Sequence, residues 1–223
     1  MNIKQVYETV HRFGFNAAAQ DIACRAASKV TEVTILRGIR LTMDSVDPLF
    51  LADEAGYDWG FIDGATLHGA LRRGAPLAMD ANFIDDAIAR GDRCYGALQG
   101  DTIAAYGWYS THPTPVTSVA DDMMFHFDSA YAYMYRGYTL PEHRGRRLHG
   151  IGMARAMEAH AQGGSHGLVS IVEASNFPSL ASCFRLGYRS FGQIFCAKIA
   201  GHHLTYATKG CEPYGVFMRP AKN

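Results

Sequence analysis

The chain has 223 residues, 48% of them hydrophobic, enough for one substantial core, and 21 basic side chains balance 21 acidic ones. Zero net charge argues against a nucleic-acid-binding protein, whose affinity rests on neutralising phosphates with surplus Lys and Arg. The cysteines are five, widely spaced and without a CxxC pair, which excludes a disulfide framework or a structural zinc site and fits reduced thiols in a cytoplasmic protein. Of the ten histidines, His202 and His203 are adjacent, so on a strand they face opposite ways, and His143 and His149 have no nearby carboxylate cluster; no metal is expected.

The opening "MNIKQVYETVHRFGF" has no apolar signal-peptide core, and no run of eighteen apolar residues follows, so neither a secretory signal nor a membrane span is expected. Residues 3–28 read as helical, with Val6, Val10, Phe13, Ala17 and Ala18 near helical spacing and Gly14 as a break point. The β-branched run 31–41 predicts a strand, and 57–64 a short strand or loop. Residues 65–74 predict a short helix closed by Gly74, and 80–92 a helix capped by Asp80 that ends near Gly91.

From there the pattern turns to strands. Residues 93–110 are two strand-like runs around a Gly100-Asp101 turn, and 121–140 supply one or two more, with Tyr131, Tyr133 and Tyr135 alternating on one face. A helix follows to about residue 162, then a buried-looking strand over 167–175, a short helix over 176–187, a strand over 188–200, and further strand with a turn over 204–218. The order implies an α/β (α+β) sandwich with a mixed sheet, and no repeat or low-complexity segment interrupts it.

The stretch "LPEHRGRRLHGIGMARAM" (140–157) crowds glycines and arginines into the mouth of a helix. Helix N-termini carry unpaired N–H groups and partial positive charge, so an anion, most simply a phosphate, is the ligand these residues suit. The spacing is neither a Walker loop nor a dinucleotide fingerprint.

Pro141, Arg144 and Gly145 in this block, and Asn176, Ser179, Leu186, Gly187 and Tyr188 one strand–helix unit later, resemble the two signature blocks of the GNAT superfamily of N-acyltransferases over residues 80 to 200. The resemblance implies a mostly antiparallel central sheet flanked by helices, with residues 76–223 as the acyltransferase core and 1–75 as an N-terminal extension packed on it in one compact domain. It implies acetyl-CoA or another acyl-CoA as co-substrate, no metal, and a small amine or amino-acid-like acceptor. The donor would lie along Tyr138, Thr139, Leu140, Arg144, Gly145, Arg146, Arg147, Leu148, His149 and Gly150, with Asn176, Ser179 and Phe184 from the second block. The chain departs from the family at Arg147 and His149, where small residues are usual, and at Cys183, where many members place a tyrosine that protonates the leaving thiolate.

In such a site the thioester lies between two splayed parallel strands, here 131–140 and 167–174. Glu173, ending the second strand, is the preferred base; His126 and Asp128 are further candidates, and Cys183 or a water is the proton source for the thiolate. The tyrosines at 106, 109, 131, 133, 135 and 138, with Trp108, suit either a sheet core or an aromatic pocket. An acyl carrier protein as donor, a non-catalytic acyl-CoA-binding or interaction domain, and a homodimer are the alternatives left open. No nucleic acid or membrane partner is expected.

Overall fold

The computed structural model describes residues 32–52 and 56–221, with positions 10, 11, 15, 19 and 22. The helix expected over 3–28 therefore lies outside the continuously described residues. In chain order the elements are β1 (Glu32–Leu41), β2 (Asp58–Ile62), α1 (Gly64–Arg72), α2 (Ala81–Ala89), β3 (Arg93–Gln99), β4 (Thr102–Ser110), β5 (Thr114–Pro115), β6 (Met123–His126), β7 (Tyr131–Thr139), α3 (Leu148–Gln162), β8 (Gly167–Glu173), α4 (Phe177–Leu186), β9 (Arg189–Ile199), β10 (His202–Ala207) and β11 (Phe217–Pro220). Short 3-10 turns link several of them.

Helix starts follow the expected capping chemistry. Asp63 accepts the Thr66 N–H at 2.7 Å and Asp80 the Phe83 N–H at 2.8 Å, each satisfying an orphan donor of a first turn. Gly187 closes α4 at φ +116°, where a Cβ would run into the Ser45 carbonyl, so only glycine fits.

Eight strands form one sheet in the order β10-β9-β1-β8-β7-β4-β3-β2, and β11-β6-β5 form a second. Every adjacent pair is antiparallel except β7 and β8. The segment before residue 76 is woven into this sheet: β2 forms one edge, and β1 lies in the interior between β8 and β9. The 75/76 boundary falls between α1 and α2, whose Leu67, Ala70, Ile84 and Ala87 share one apolar cluster.

Two layers cover the large sheet. On one face α3 and α4 bury Ile151, Met153, Met157, Leu180 and Leu186 against Ile39, Leu41, Ala132, Met134 and Leu168. At about 1.5–3 kcal/mol per large apolar side chain, this burial holds α3 in place and so fixes where its first turn points. On the other face the small sheet packs Met123, Phe125 and Met218 on Leu36, Tyr133, Val169 and Ile194. Beside it α1 and α2 pack on Ile103, Tyr106 and Trp108, and the Tyr106 hydroxyl donates to the Leu77 carbonyl. Most of the aromatic residues weighed above are thus core: Tyr106, Trp108, Tyr109 and Tyr133 are all buried. Among the described residues no helix is long and apolar enough to cross a membrane.

Candidate functional site

The turn from β7 into α3 is built from backbone. After a 3-10 turn over Pro141–His143, Gly145 adopts φ +82° and Arg147, the residue before the helix, φ +59°. No side chain caps α3. Among the described residues no backbone acceptor is found for the N–H groups of Gly145, Arg147, Leu148, His149 and Gly150, while the turn over Arg144 and Gly145 directs the Arg146 N–H back to the preceding turn; the first bond of the helix is Ile151 N–H to the Arg147 carbonyl at 3.0 Å. Unpaired donors clustered at a helix start suit an anion with several oxygens, such as a pyrophosphate.

The three arginines differ. Arg144 folds back, donating from Nε to the Thr139 carbonyl at 3.2 Å and lying over the Tyr138 ring. Arg146 donates to the Tyr57 hydroxyl at 3.0 Å, and that hydroxyl also meets His143 Nδ1 at 3.0 Å, so the residue just before β2 braces the loop. Arg147 is exposed and, among the described residues, has no side-chain partner. It occupies the left-handed backbone region that glycine would adopt without strain.

The other unusual residue of the loop, His149, does not crowd the anion site. Its ring turns under the helix and fills the space over Gly137 on β7, where any side chain would collide with it. Burial lowers its pKa, keeping it neutral. Gly150 and Gly152 admit the rings of Phe50 and Trp59 against the first turns of α3.

Beside this loop the sheet opens. β7 and β8 pair only at Tyr131–Gly167, Ala132–Leu168 and Tyr133–Val169. Beyond that point β7 is held by β4 as far as Thr139, and β8 by β1 as far as Glu173, so each follows its outer neighbour. The Ser170 hydroxyl takes the first free carbonyl of the gap, Met134, at 2.9 Å. A bulge follows: Trp108 pairs with Arg136 and Tyr109 with Met134, leaving Tyr135 out of register.

On the face away from α3 the gap meets an open cleft of about 590 Å³. Phe83 and Asp86 of α2 and Arg90 just past its end form one wall, the 115–121 segment the other, and Tyr133, Tyr135 and Glu173 lie along its floor. Tyr135 donates to Asp92 Oδ2 at 2.9 Å, and Arg90 donates to the same oxygen at 2.9 and 3.2 Å. Burial, with Asp92 adding to it, raises the Tyr135 pKa and keeps the phenol protonated. Sequence reasoning missed Asp92, Arg90 and Asp86. Their only local signal is the three- and four-residue spacing of Phe83, Asp86 and Arg90 on one helix face.

Of the expected catalytic residues, Glu173 is the one the structure brings to the cleft, exposed at the end of β8. His126 is elsewhere. β6 alternates, with Met123 and Phe125 inward, so the His126 ring faces outward and stacks on Phe217 at 4.5 Å. Burial first, then Arg219, lowers its pKa. Asp128 closes a turn by accepting the Ala130 N–H at 2.9 Å. Cys183 points into the core beside Leu180 and Leu186, where burial pushes its thiol up to about 11. That environment makes neither a nucleophile nor a proton donor facing the cleft.

Among the expected donor-binding residues, Leu140 is buried and its N–H is taken by the Ala104 carbonyl at 2.9 Å, so it offers a ligand no donor. Tyr138 and Thr139 complete β7 beside the gap. Asn176 caps α4, its side chain accepting the Ser179 N–H at 3.3 Å, and Phe184 is exposed on that helix.

Solved structures with this architecture exist in other organisms. A Sphaerobacter thermophilus GCN5-related N-acetyltransferase superimposes with a TM-score of 0.53 at 10% identity, covering 83% of this chain and 56% of its own. A GCN5-related N-acetyltransferase from Kribbella flavida gives 0.50 at 13%, covering 85% and 66%. The fold is that of the GCN5-related N-acetyltransferases. A Drosophila protein of this fold gives 0.50 at 17% identity, covering 82% of this chain. The chain spans 57% of that structure's length. No protein-family model and no curated protein matches the sequence. Within the GNAT fold, the split pair β7 and β8 and the loop opening α3 occupy one end of the sheet, with Glu173 between them and the cleft.

Proposed function

We propose that the protein transfers an acyl group, acetyl in the simplest case, from acyl-CoA to an amine by direct attack. The observation that carries this reading is the convergence, at one end of the sheet, of a helix start with a cluster of unpaired N–H groups and a parallel strand pair that splits after three residues. The N–H groups of Gly145 and of Arg147 to Gly150 hold the pyrophosphate, with Arg147 adding charge. The open edge of β7 beyond Tyr133 receives the pantetheine arm, as an extended chain adds to a strand. The amine enters from the opposite face through the cleft.

An amine is protonated at neutral pH, so a proton must leave before nitrogen can attack the thioester carbon. Glu173 accepts it, directly or through water. The new C–N bond forms as the C–S bond breaks, and the sulfur leaves with the electron pair and is protonated from solvent. With Cys183 buried, no thiol among the described residues is exposed to serve as the acid, and a thiolate leaves adequately without one. Much of the acceleration comes from holding two substrates on opposite sides of one gap.

Calorimetric titration with acetyl-CoA, a long-chain acyl-CoA and free CoA tests the donor half, and thiol release on adding amines tests transfer. Micromolar binding with amine-dependent thiol release is expected. Binding without release across a broad amine panel would make the protein an acyl-CoA-binding domain. No binding to any of the three would overturn CoA as donor and turn attention to an acyl carrier protein.

A further inference from the structure

The cleft that receives the amine is unevenly charged. Asp86 stands on the α2 wall, Asp121 on the opposite wall and Glu173 at the floor, all three exposed. Two cations also line it: Arg90 is paired with a carboxylate, and Arg136, held by a carbonyl and a ring, keeps its charge. Arg90 sends Nε and one terminal nitrogen to Asp92, so that pair is neutral as a unit. Arg136 donates to the Ala78 carbonyl at 2.6 Å and lies 4.3 Å from the centre of the Phe83 ring. Behind the Arg90 and Tyr135 side chains, Asp92 is fully buried with its second oxygen, Oδ1, unpartnered among the described residues. Four carboxylates thus face two guanidiniums in and behind one cavity of about 590 Å³. Tyr133 and Tyr135, both held protonated by burial, add apolar surface without charge.

Resting on acyl transfer to an amine at this site, we propose that the acceptor is a small dication without a carboxylate. The reacting amine lies at the β7–β8 gap near Glu173, and a second ammonium or guanidinium lies between Asp86 and Asp121. A fixed field of this sign raises the local concentration of a dication and opposes an anion. An amino-acid acceptor would bring its carboxylate among three exposed carboxylates, with Arg136 the one lining guanidinium not paired with an acid. The aromatic floor suits the methylene chain between the two charges.

The test uses three amines with the same five-carbon chain: 1,5-diaminopentane, n-pentylamine, and lysine, which is the diamine bearing a carboxylate. With acetyl-CoA, kcat/KM for the diamine is expected to exceed that of the other two by about tenfold or more, and the margin over pentylamine to shrink as salt is added. In the double variant Asp86→Asn, Asp121→Asn the ratio of diamine to pentylamine falls towards one. Lysine equal to or better than the diamine, or pentylamine equal to it at low salt, would overturn the proposal. Calorimetry of the three amines, with and without CoA, keeps the two readings apart. Selective binding of the diamine without thiol release rejects transfer and retains the acidic cleft as a dication site; thiol release without diamine preference does the reverse.

Discussion

On the proposed function, the two halves of the site are made in different ways. The donor half is one continuous segment, residues 140–150, whose working parts are backbone N–H groups set by two left-handed residues and a helix start. The acceptor half is assembled from side chains of α2, the 115–121 segment, β7 and β8, which are far apart in sequence. A local backbone device tolerates side-chain change, because its donors belong to every residue type but proline. A convergent set of side chains does not, and each member can be removed singly. Substitutions in the acceptor half should therefore act on turnover and amine selectivity, and those in the donor half on CoA affinity.

The sharpest way to break this division is Glu173→Gln. Loss of a base should lower kcat about 100-fold, the low end for general acid–base catalysis, while CoA affinity measured by calorimetry stays within about twofold. Near-normal turnover across the pH range would move the base elsewhere; a matching loss of CoA affinity would show that the halves are not separable.

Gly137→Ala approaches the same question from the donor side. The added methyl group collides with the His149 ring and must shift the first turn of α3. Overpacking of this kind costs about 1–3 kcal/mol, so CoA affinity should fall about tenfold. Adding His149→Ala should restore most of it, because the nearest clash is with that ring, and the Met134 methyl, 2.8 Å from the added carbon, is the movable end of a flexible side chain. Failure of the double variant to recover would mean that His149 serves the loop in some way beyond filling space.

What the sequence disclosed follows the same line. Caps, turns and the 140–150 loop are local and were legible from Asp80, Gly100, Gly145 and Gly187. The α3 start and the 131–140 and 167–174 strands of the split were also placed, because each depends on its own periodicity. The position of β1 was not legible: it reads as a strand, but its partners β8 and β9 lie more than a hundred residues away. His126 misled because strand character does not say which sheet a strand joins or which way its alternation points. Cys183 misled for a weaker reason, since Leu180, Cys183 and Leu186 at intervals of three mark one apolar helix face. The acidic cleft had no local trace at all beyond one face of α2.

Arg147→Gly separates stability from binding within the donor half. Arg147 holds a left-handed conformation that costs a non-glycine residue about 1–2 kcal/mol. Glycine should therefore raise the melting temperature by about 2–4 °C, which corresponds to about 1 kcal/mol in a chain of this size. The same change removes a charge at the anion site and should weaken CoA about threefold to fivefold, with the loss shrinking at high salt. A stabilised variant with unaltered CoA affinity would mean that the free N–H groups carry the anion alone.

The smallest effect is expected at Cys183, and it tests the borderline between the halves. If the buried thiol takes no part in protonating the leaving group, Cys183→Ala should change kcat by less than about twofold, although it leaves a small void in the α3–α4 core. The thiol's own titration supplies an independent check. Its folded pKa lies at about 11 against an ordinary 9.0, so the raised value favours the folded state below pH 9 and that contribution is lost as pH rises towards 11. At pH 8 an ordinary thiol is roughly 10% thiolate and this one roughly 0.1%, so alkylation of Cys183 in the folded protein should be about 100-fold slower than in the denatured chain, before burial slows it further. Peptide mapping after brief alkylation at pH 8 and pH 10 reads this site apart from the other cysteines. Rapid labelling at pH 8, together with a large kcat loss in the alanine variant, would return Cys183 to the catalytic face of α4 and make the missing acid a cysteine.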